Sequence, residues 1–243
     1  MSILVIGDSI SFGAELPDLP PDFKLRANRQ EWFDEETNQI IPLTPSKFAW
    51  PALLGQQLGQ DVVNLSIIGG SNDRIFRIAM TESMKNDYDL IICAWTAIAR
   101  FDFYYKDREL PFTANCPWVL DNHPWLKTFL VDHYNEEQML ERWTAEVVAL
   151  ESYFKLKGQQ YLFLNSTNQW FYLTGTQYRQ SSARDYFIKH IDKDHYILED
   201  MHYITCNAPR GPGGHPLEQG QKLIAQRVYD RLLQIGFKPA AAS

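Results

Sequence analysis

The chain has 243 residues, 45% of them hydrophobic and 14% aromatic, a length at which one α/β domain can bury a large core. Its formal net charge is -7 at pH 7, its pI is about 5.4 and it carries no Lys/Arg run, so no nucleic-acid footprint is expected. Cys93, Cys116 and Cys206 lie far apart without CxxC spacing, which argues for reduced, buried thiols and against a disulfide framework or a zinc site. No stretch approaches the ~20 apolar residues that cross a bilayer, and no signal-peptide pattern opens the chain. The sequence therefore predicts a soluble protein with no membrane partner, cytoplasmic by default, with virion association left open.

Residues 2–6 form an apolar run that predicts a buried strand, and it breaks into Gly7-Asp8-Ser9-Ile10-Ser11, a tight turn carrying a serine. Residues 17–47, rich in Pro, charge and polar groups, read as a surface insertion. Phe48 to Leu58 has helical spacing at Trp50, Leu53, Leu54 and Leu58, with Gly59 as a stop. Asp61 to Ser66 predicts a second strand closing on Gly69-Gly70-Ser71-Asn72. Ser71 or Asn72 would cap the helix that follows through about Lys85. The near-continuous apolar run Asp89 to Trp95 suits a central parallel strand covered on both faces.

Residues 101–135 read as an irregular, aromatic-rich insertion. A long helix is predicted from about Glu136 to Lys157, stopped at Gly158, and Tyr161 to Asn165 is the fourth strand. A helix is expected around Ser181 to Ile191. The last runs from about Leu217 to Ile235, with Leu223, Ile224, Val228, Leu232 and Leu233 on its inner face, before a disordered-looking tail from Pro239 to Ser243. Strands alternating with helices predict an α/β fold, a three-layer α/β/α sandwich around a central, mostly parallel sheet. Residues 1–243 read as one domain, with insertions near 17–47 and 101–135.

Ligands of open parallel sheets bind beyond the carboxyl ends of the strands. Ser9, Gly69-Gly70, Thr96 to Arg100 and Asn165 to Asn168 all fall at such ends. His215, in Gly213-Gly214-His215-Pro216 before the last helix, can reach the same edge. A serine becomes nucleophilic beside a base, and an oxyanion needs donors already in place, so Ser9 and His215 are the candidate catalytic pair, with N–H groups at Ser9 and Gly70 as donors. Plainer readings stand beside these. Ser9 could be a helix cap, His215 a surface or capping histidine, and Gly70 a turn glycine. Asp8 reads as a group that holds the turn together. Arg100 could meet an anionic or sugar group or form a structural ion pair. The aromatic residues of 101–135 could line a carbohydrate cleft or simply pack. His123, His133, His195 and His202 lack ligand spacing, so no metal is expected. Gly7 to Gly13 lacks the phosphate-loop order, and no cofactor is expected.

Gly7-Asp8-Ser9-Ile10-Ser11 resembles the first block of the SGNH (GDSL-type) hydrolases, whose serine is the nucleophile. Asn64-Leu65-Ser66-Ile67-Ile68-Gly69-Gly70 resembles the second block, and Gly214-His215-Pro216 the fifth. The blocks occur in family order and span nearly the whole chain. The resemblance implies a flavodoxin-like SGNH fold, Ser9 as nucleophile, Gly70 as an oxyanion donor and His215 as base. Two departures stand out. Ala94 to Arg100 contains no asparagine where the third block has one, leaving Thr96, Asn72 and Arg100 as open candidates for the missing donor. Pro212 stands where the fifth block has an acid, leaving a carbonyl around Arg210 to Pro212, or Glu199 or Asp200, to orient His215. The resemblance implies hydrolysis of short-chain acyl esters, including O-acetyl groups of a glycan. The alternative is an SGNH-fold protein that binds carbohydrate or serves a structural role with weak or no catalysis. The expected partner is a small-molecule or glycan ester, and the oligomeric state is left open.

Overall fold

The computed structural model describes residues 2–19, 31–34, 39–105, 108–113, 127–129, 132–167 and 188–238. In chain order the elements are β1 (Ser2–Ile6), α1 (Ser9–Phe12), β2 (Glu31–Asp34), β3 (Gln39–Pro42), α2 (Trp50–Leu58), β4 (Asp61–Asn64), α3 (Asn72–Lys85) and β5 (Leu90–Trp95). They continue with β6 (Arg100–Tyr105), β7 (Arg108–Thr113), α4 (Glu136–Lys157), β8 (Tyr161–Asn165), β9 (Tyr196–Asp200), α5 (Met201–Ile204) and α6 (Glu218–Gln234). A five-stranded sheet has the order β4-β1-β5-β8-β9, and all its pairings are parallel. Two antiparallel hairpins, β2-β3 and β6-β7, stand apart from it.

Strand alternation divides the core in two. Ile3, Val5, Ile92, Ala94, Leu162, Leu164 and Ile197 point to one face, where Trp50 and Leu54 of α2 and Ile224, Val228 and Leu232 of α6 cover them. Leu4, Ile6, Ile91, Cys93, Trp95, Phe163 and Tyr196 point to the other, under Ile75 and Ala79 of α3 and Leu140, Trp143, Val147, Leu150 and Phe154 of α4. Each such aliphatic or phenyl side chain, fully buried, contributes roughly 1.5–3 kcal/mol before the cost of ordering it. The sheet is thus sandwiched between helices, and every sheet strand directs its carboxyl end to one edge. The helix ends follow local chemistry: Ser71 caps α3 by accepting from Arg74 N, Asn135 caps α4 by accepting from Gln138 N, and Gly158 closes α4 in the left-handed conformation.

The structure departs from the sequence-based expectations at several places. The predicted insertions contain the two hairpins: Glu31–Asp34 pairs with Gln39–Pro42, and Arg100–Tyr105 pairs with Arg108–Thr113. In 101–105 the run Phe101, Phe103, Tyr104 and Tyr105 hides strand alternation among aromatic residues, although such residues favour strands. Tyr196–Asp200 is a fifth strand that the sequence reading passes over. As an edge strand it buries Tyr196, Ile197 and Asp200 and leaves the two between half-covered, so it shows no apolar run. Leu223 and Leu233 of α6 are 43% and 53% exposed, against the expectation that they face inward. They lie one position off the Ile224–Val228–Leu232 stripe, far enough around a 3.6-residue turn to leave the core. Cys93 is buried, which pushes its thiol well up, whereas Cys206 is exposed, correcting the reading of both as buried. Cys116, residues 181–187 of the helix expected around 181–191 and the tail 239–243 lie outside the described residues. Among the described residues, no helix is long and apolar enough to cross a membrane.

Candidate active site

Gly7 follows β1 and Asp8 caps the single-turn helix α1, its Oδ1 accepting from Ile10 N at 3.0 Å. The cap is therefore Asp8, and Ser9 is free of that duty. Ser9 opens α1 with its hydroxyl at the carboxyl edge of the sheet, 4% exposed and 2.9 Å from His215 Nε2. The partner arrives 206 positions later in the chain, from the loop that enters α6. The structure thus brings together the two residues singled out from opposite ends of the sequence.

The other imidazole nitrogen meets a group that the sequence reading did not consider. His215 Nδ1 lies 2.8 Å from Glu15 Oε2. The same oxygen accepts from His215 N at 3.1 Å, and Glu15 Oε1 accepts from Gly213 N at 2.5 Å. Facing a carboxylate, Nδ1 carries the ring hydrogen, which leaves Nε2 to accept from the Ser9 hydroxyl. Burial raises the Glu15 carboxyl, but the N–H donors of Gly213 and His215 together with the imidazole outweigh it, and the group sits below its ordinary value. Glu15 adopts φ 67°, and among the described residues no other non-glycine has a positive φ. That left-handed backbone costs about 1–2 kcal/mol. From this position the carboxylate reaches the His215 loop.

The carboxylate beside His215 therefore comes from the tract just after the Gly7–Ser11 turn. The other choices are occupied elsewhere: Glu199 forms an ion pair with Arg227 at 2.9 Å, and Asp200 caps α5 by accepting from Tyr203 N at 2.7 Å. The loop around Pro212 contributes space, since a Cβ at Gly211 would stand 2.7 Å from the Glu15 carboxyl and one at Gly213 would stand 3.1 Å from its Oε1. A search restricted to the residues just before His215 passes over an acid 200 positions away. The signal that could have found it is a carboxylate six residues after the serine on an edge already populated by site residues.

Asp8 does more than hold its own turn. It is fully buried, and its Oδ2 accepts from Thr96 Oγ1 at 2.7 Å and Arg100 Nη1 at 2.8 Å, while Oδ1 accepts from Ser166 Oγ at 2.6 Å. One carboxylate thus ties the loops after β1, β5 and β8 together beneath Ser9. Thr96 Oγ1 and Arg100 Nη1, weighed above as donors to an oxyanion, donate to Asp8 in this structure, and Arg100 forms the ion pair. Asn72 is 4% exposed and faces Thr96, donating from Nδ2 to Thr96 O at 3.1 Å and accepting from Thr96 N at 2.8 Å. Removing a buried carboxylate that balances a partly buried guanidinium typically costs about 3–5 kcal/mol. Asp8→Ala is accordingly expected to lower the urea midpoint with little change in the slope; an unchanged midpoint would count against this network as an anchor.

Gly70 donates its N–H to Ile67 O at 3.1 Å, which closes the turn after β4. A Cβ there would come within 2.8 Å of Gly7 O, so glycine lets this loop rest against the residue that opens the Ser9 turn. The turn reading of Gly70 accounts for both contacts. Ser9 N–H, at the first position of α1, has no intrahelical acceptor. Among the described residues no His/Cys/Asp/Glu cluster could hold a metal ion.

A family model described as "Family of unknown function (DUF6071)" matches residues 34–236. The chain belongs to that family. The match includes Gly70 and His215 and begins after Ser9 and Glu15. No curated protein matches the chain. In three dimensions it is similar to TesA, with TM-score 0.51 and 14% identity over 97% of this chain and 99% of that one. It is similar to the psychrotrophic esterase EstA from Pseudoalteromonas sp., with TM-score 0.51 and 12% identity over 96% of this chain and 97% of that one. It is also similar to an acetyl xylan esterase from the rumen bacterium Butyrivibrio proteoclasticus, with TM-score 0.53, 11% identity, and coverage of 96% and 64%. The fold is that of the SGNH (GDSL-type) esterases, as the sequence blocks implied.

Proposed function

We propose that the protein is a serine ester hydrolase acting through Ser9, His215 and Glu15. The observation that carries this reading is one continuous chain of contacts: Ser9 Oγ to His215 Nε2 at 2.9 Å and His215 Nδ1 to Glu15 Oε2 at 2.8 Å. In this mechanism Ser9 Oγ attacks the ester carbonyl while Nε2 takes its proton. Glu15 holds the ring in the required tautomer and balances the imidazolium that forms. The proton passes to the leaving alkoxide, which departs as an alcohol. Water, deprotonated by Nε2, then attacks the acyl-serine and releases a carboxylic acid and free Ser9. The Ser9 N–H is the donor best suited to the oxyanion, with Gly70 and Asn72 contributing only if their present partners are exchanged on binding.

The proposed substrates are short acyl esters, with O-acetyl groups of a glycan as the natural class. This rests on the likeness to esterase folds and on the resemblance of the sequence blocks. The test is labelling with a fluorophosphonate probe, alongside turnover of a short p-nitrophenyl ester. A single adduct mapped to the peptide containing Ser9 is the expected result. Wild-type protein that takes no label and shows only background turnover would favour the alternative of a carbohydrate-binding or structural protein that retains the fold.

A further inference from the structure

The loop that carries His215 is held by a second charged group, of opposite sign to Glu15. The loop is a tight antiparallel turn: Arg210 bridges Pro216, Gly211 N donates to His215 O at 3.0 Å, and Gly214 N donates to Gly211 O at 2.9 Å. Arg210 folds its side chain against this turn. Its Nη1 donates to Gly214 O at 2.8 Å and to His202 Nδ1 at 2.8 Å, while Nη2 reaches Thr205 Oγ1 at 3.1 Å and His202 O at 3.2 Å.

Gly214 O and His215 N belong to one peptide unit. Arg210 therefore grips its carbonyl while Glu15 grips its N–H, at 2.8 Å and 3.1 Å respectively. A peptide plane fixed at both ends cannot rotate, and it is the plane from which the His215 side chain departs. The fork geometry of a guanidinium is needed to reach the carbonyl, the imidazole and Thr205 together, which a lysine ammonium cannot do.

We propose that Arg210 is a positioning residue for the base, with His202 as its neutral anchor. This rests on the serine-hydrolase reading above. The arrangement requires His202 Nδ1 to be an acceptor, so the ring is uncharged and carries its hydrogen on Nε2. Its surroundings favour that state: burial and the Arg210 guanidinium disfavour a second positive charge, His215 adds to this, and Asp200 and Asp8 oppose without reversing it. The ring is held below its ordinary value, so the clasp persists to lower pH than an unperturbed histidine would allow.

The experiment compares wild type, Arg210→Ala, His202→Asn and His202→Leu in steady-state ester hydrolysis and in the rate of fluorophosphonate labelling of Ser9. Arg210→Ala is expected to lower kcat and the labelling rate by about 10²-fold while KM changes little, the size of effect that misplacement of a catalytic group by about 1 Å produces. Added guanidinium should restore much of the loss. His202→Asn keeps a neutral acceptor and should remain within a few-fold of wild type, whereas His202→Leu should fall with Arg210→Ala. Wild-type labelling in Arg210→Ala, or equal loss in both His202 variants, would overturn the role given to this clasp. Absence of label in the wild type would instead overturn the hydrolase reading.

Discussion

Ser9→Ala is expected to reduce kcat toward a short p-nitrophenyl ester by about 10⁶-fold, leaving only the residual acceleration that binding and the remaining donors supply, with loss of fluorophosphonate labelling. Two neighbouring hydroxyls are already engaged: Ser11 Oγ accepts from Trp50 Nε1 at 3.2 Å, and Ser166 Oγ donates to Asp8 at 2.6 Å. Folding should be almost unaffected, since the change removes one hydroxyl whose partner His215 is 24% exposed and can turn to water. The measurement is initial rate against substrate concentration, with thermal unfolding as the control for fold. Equal rates in wild type and variant would show that any turnover arises elsewhere, and the role assigned to Ser9 would fail.

Glu15→Gln should cost roughly 10³–10⁴-fold in kcat, the scale seen when the acid of a Ser-His-acid triad becomes an amide. The reason lies in counting donors. The carboxylate receives three N–H groups, from Gly213, His215 and the His215 ring. An amide offers one oxygen and a donor NH₂, so a donor meets a donor. The simplest relief is for Nδ1 to become the acceptor, which moves the ring hydrogen to Nε2 and leaves nothing to take the proton of Ser9. Kinetics that match wild type would remove Glu15 from the mechanism.

The same substitution carries a pH signature. Because the Glu15 carboxyl is held below its ordinary value of 4.5, its stabilisation is fully present above that value and is lost as the pH falls through the lower folded-state value. Wild-type stability should therefore decline in that acid window. Glu15→Gln should be less stable at neutral pH and should lack this part of the decline. Urea unfolding of both proteins from neutral to acid pH measures the difference, and parallel curves would contradict the assignment.

Much of the fold was legible because the relevant signals are local. The apolar runs at 2–6, 90–95 and 161–165, Ser71 before α3 and Gly158 after α4 each act within a few residues of themselves. Ser9 and His215 were legible as well, because each sits in a short motif with its own backbone requirements. The edge strand Tyr196–Asp200 was not, since its burial depends on the neighbouring β8 and leaves no run of apolar residues. The inner face of α6 was only partly readable, because a single-position shift around the helix decides whether Leu223 or Ile224 is buried.

By itself the sequence determined a parallel α/β sheet with a serine at the end of its first strand and a histidine before its last helix. It could not determine how those two are joined or what supports them. Glu15 has no local pattern that pairs it with His215, and the contact exists only because a left-handed residue after α1 meets a glycine-lined turn 200 positions away. Arg210 and His202 likewise become partners of the site only when that turn folds against α5. Backbone propensity and hydrophobic period are properties of neighbours along the chain, whereas a hydrogen bond between distant side chains is decided by packing. That is why Ser9 and His215 could be singled out from the sequence and Glu15 could not.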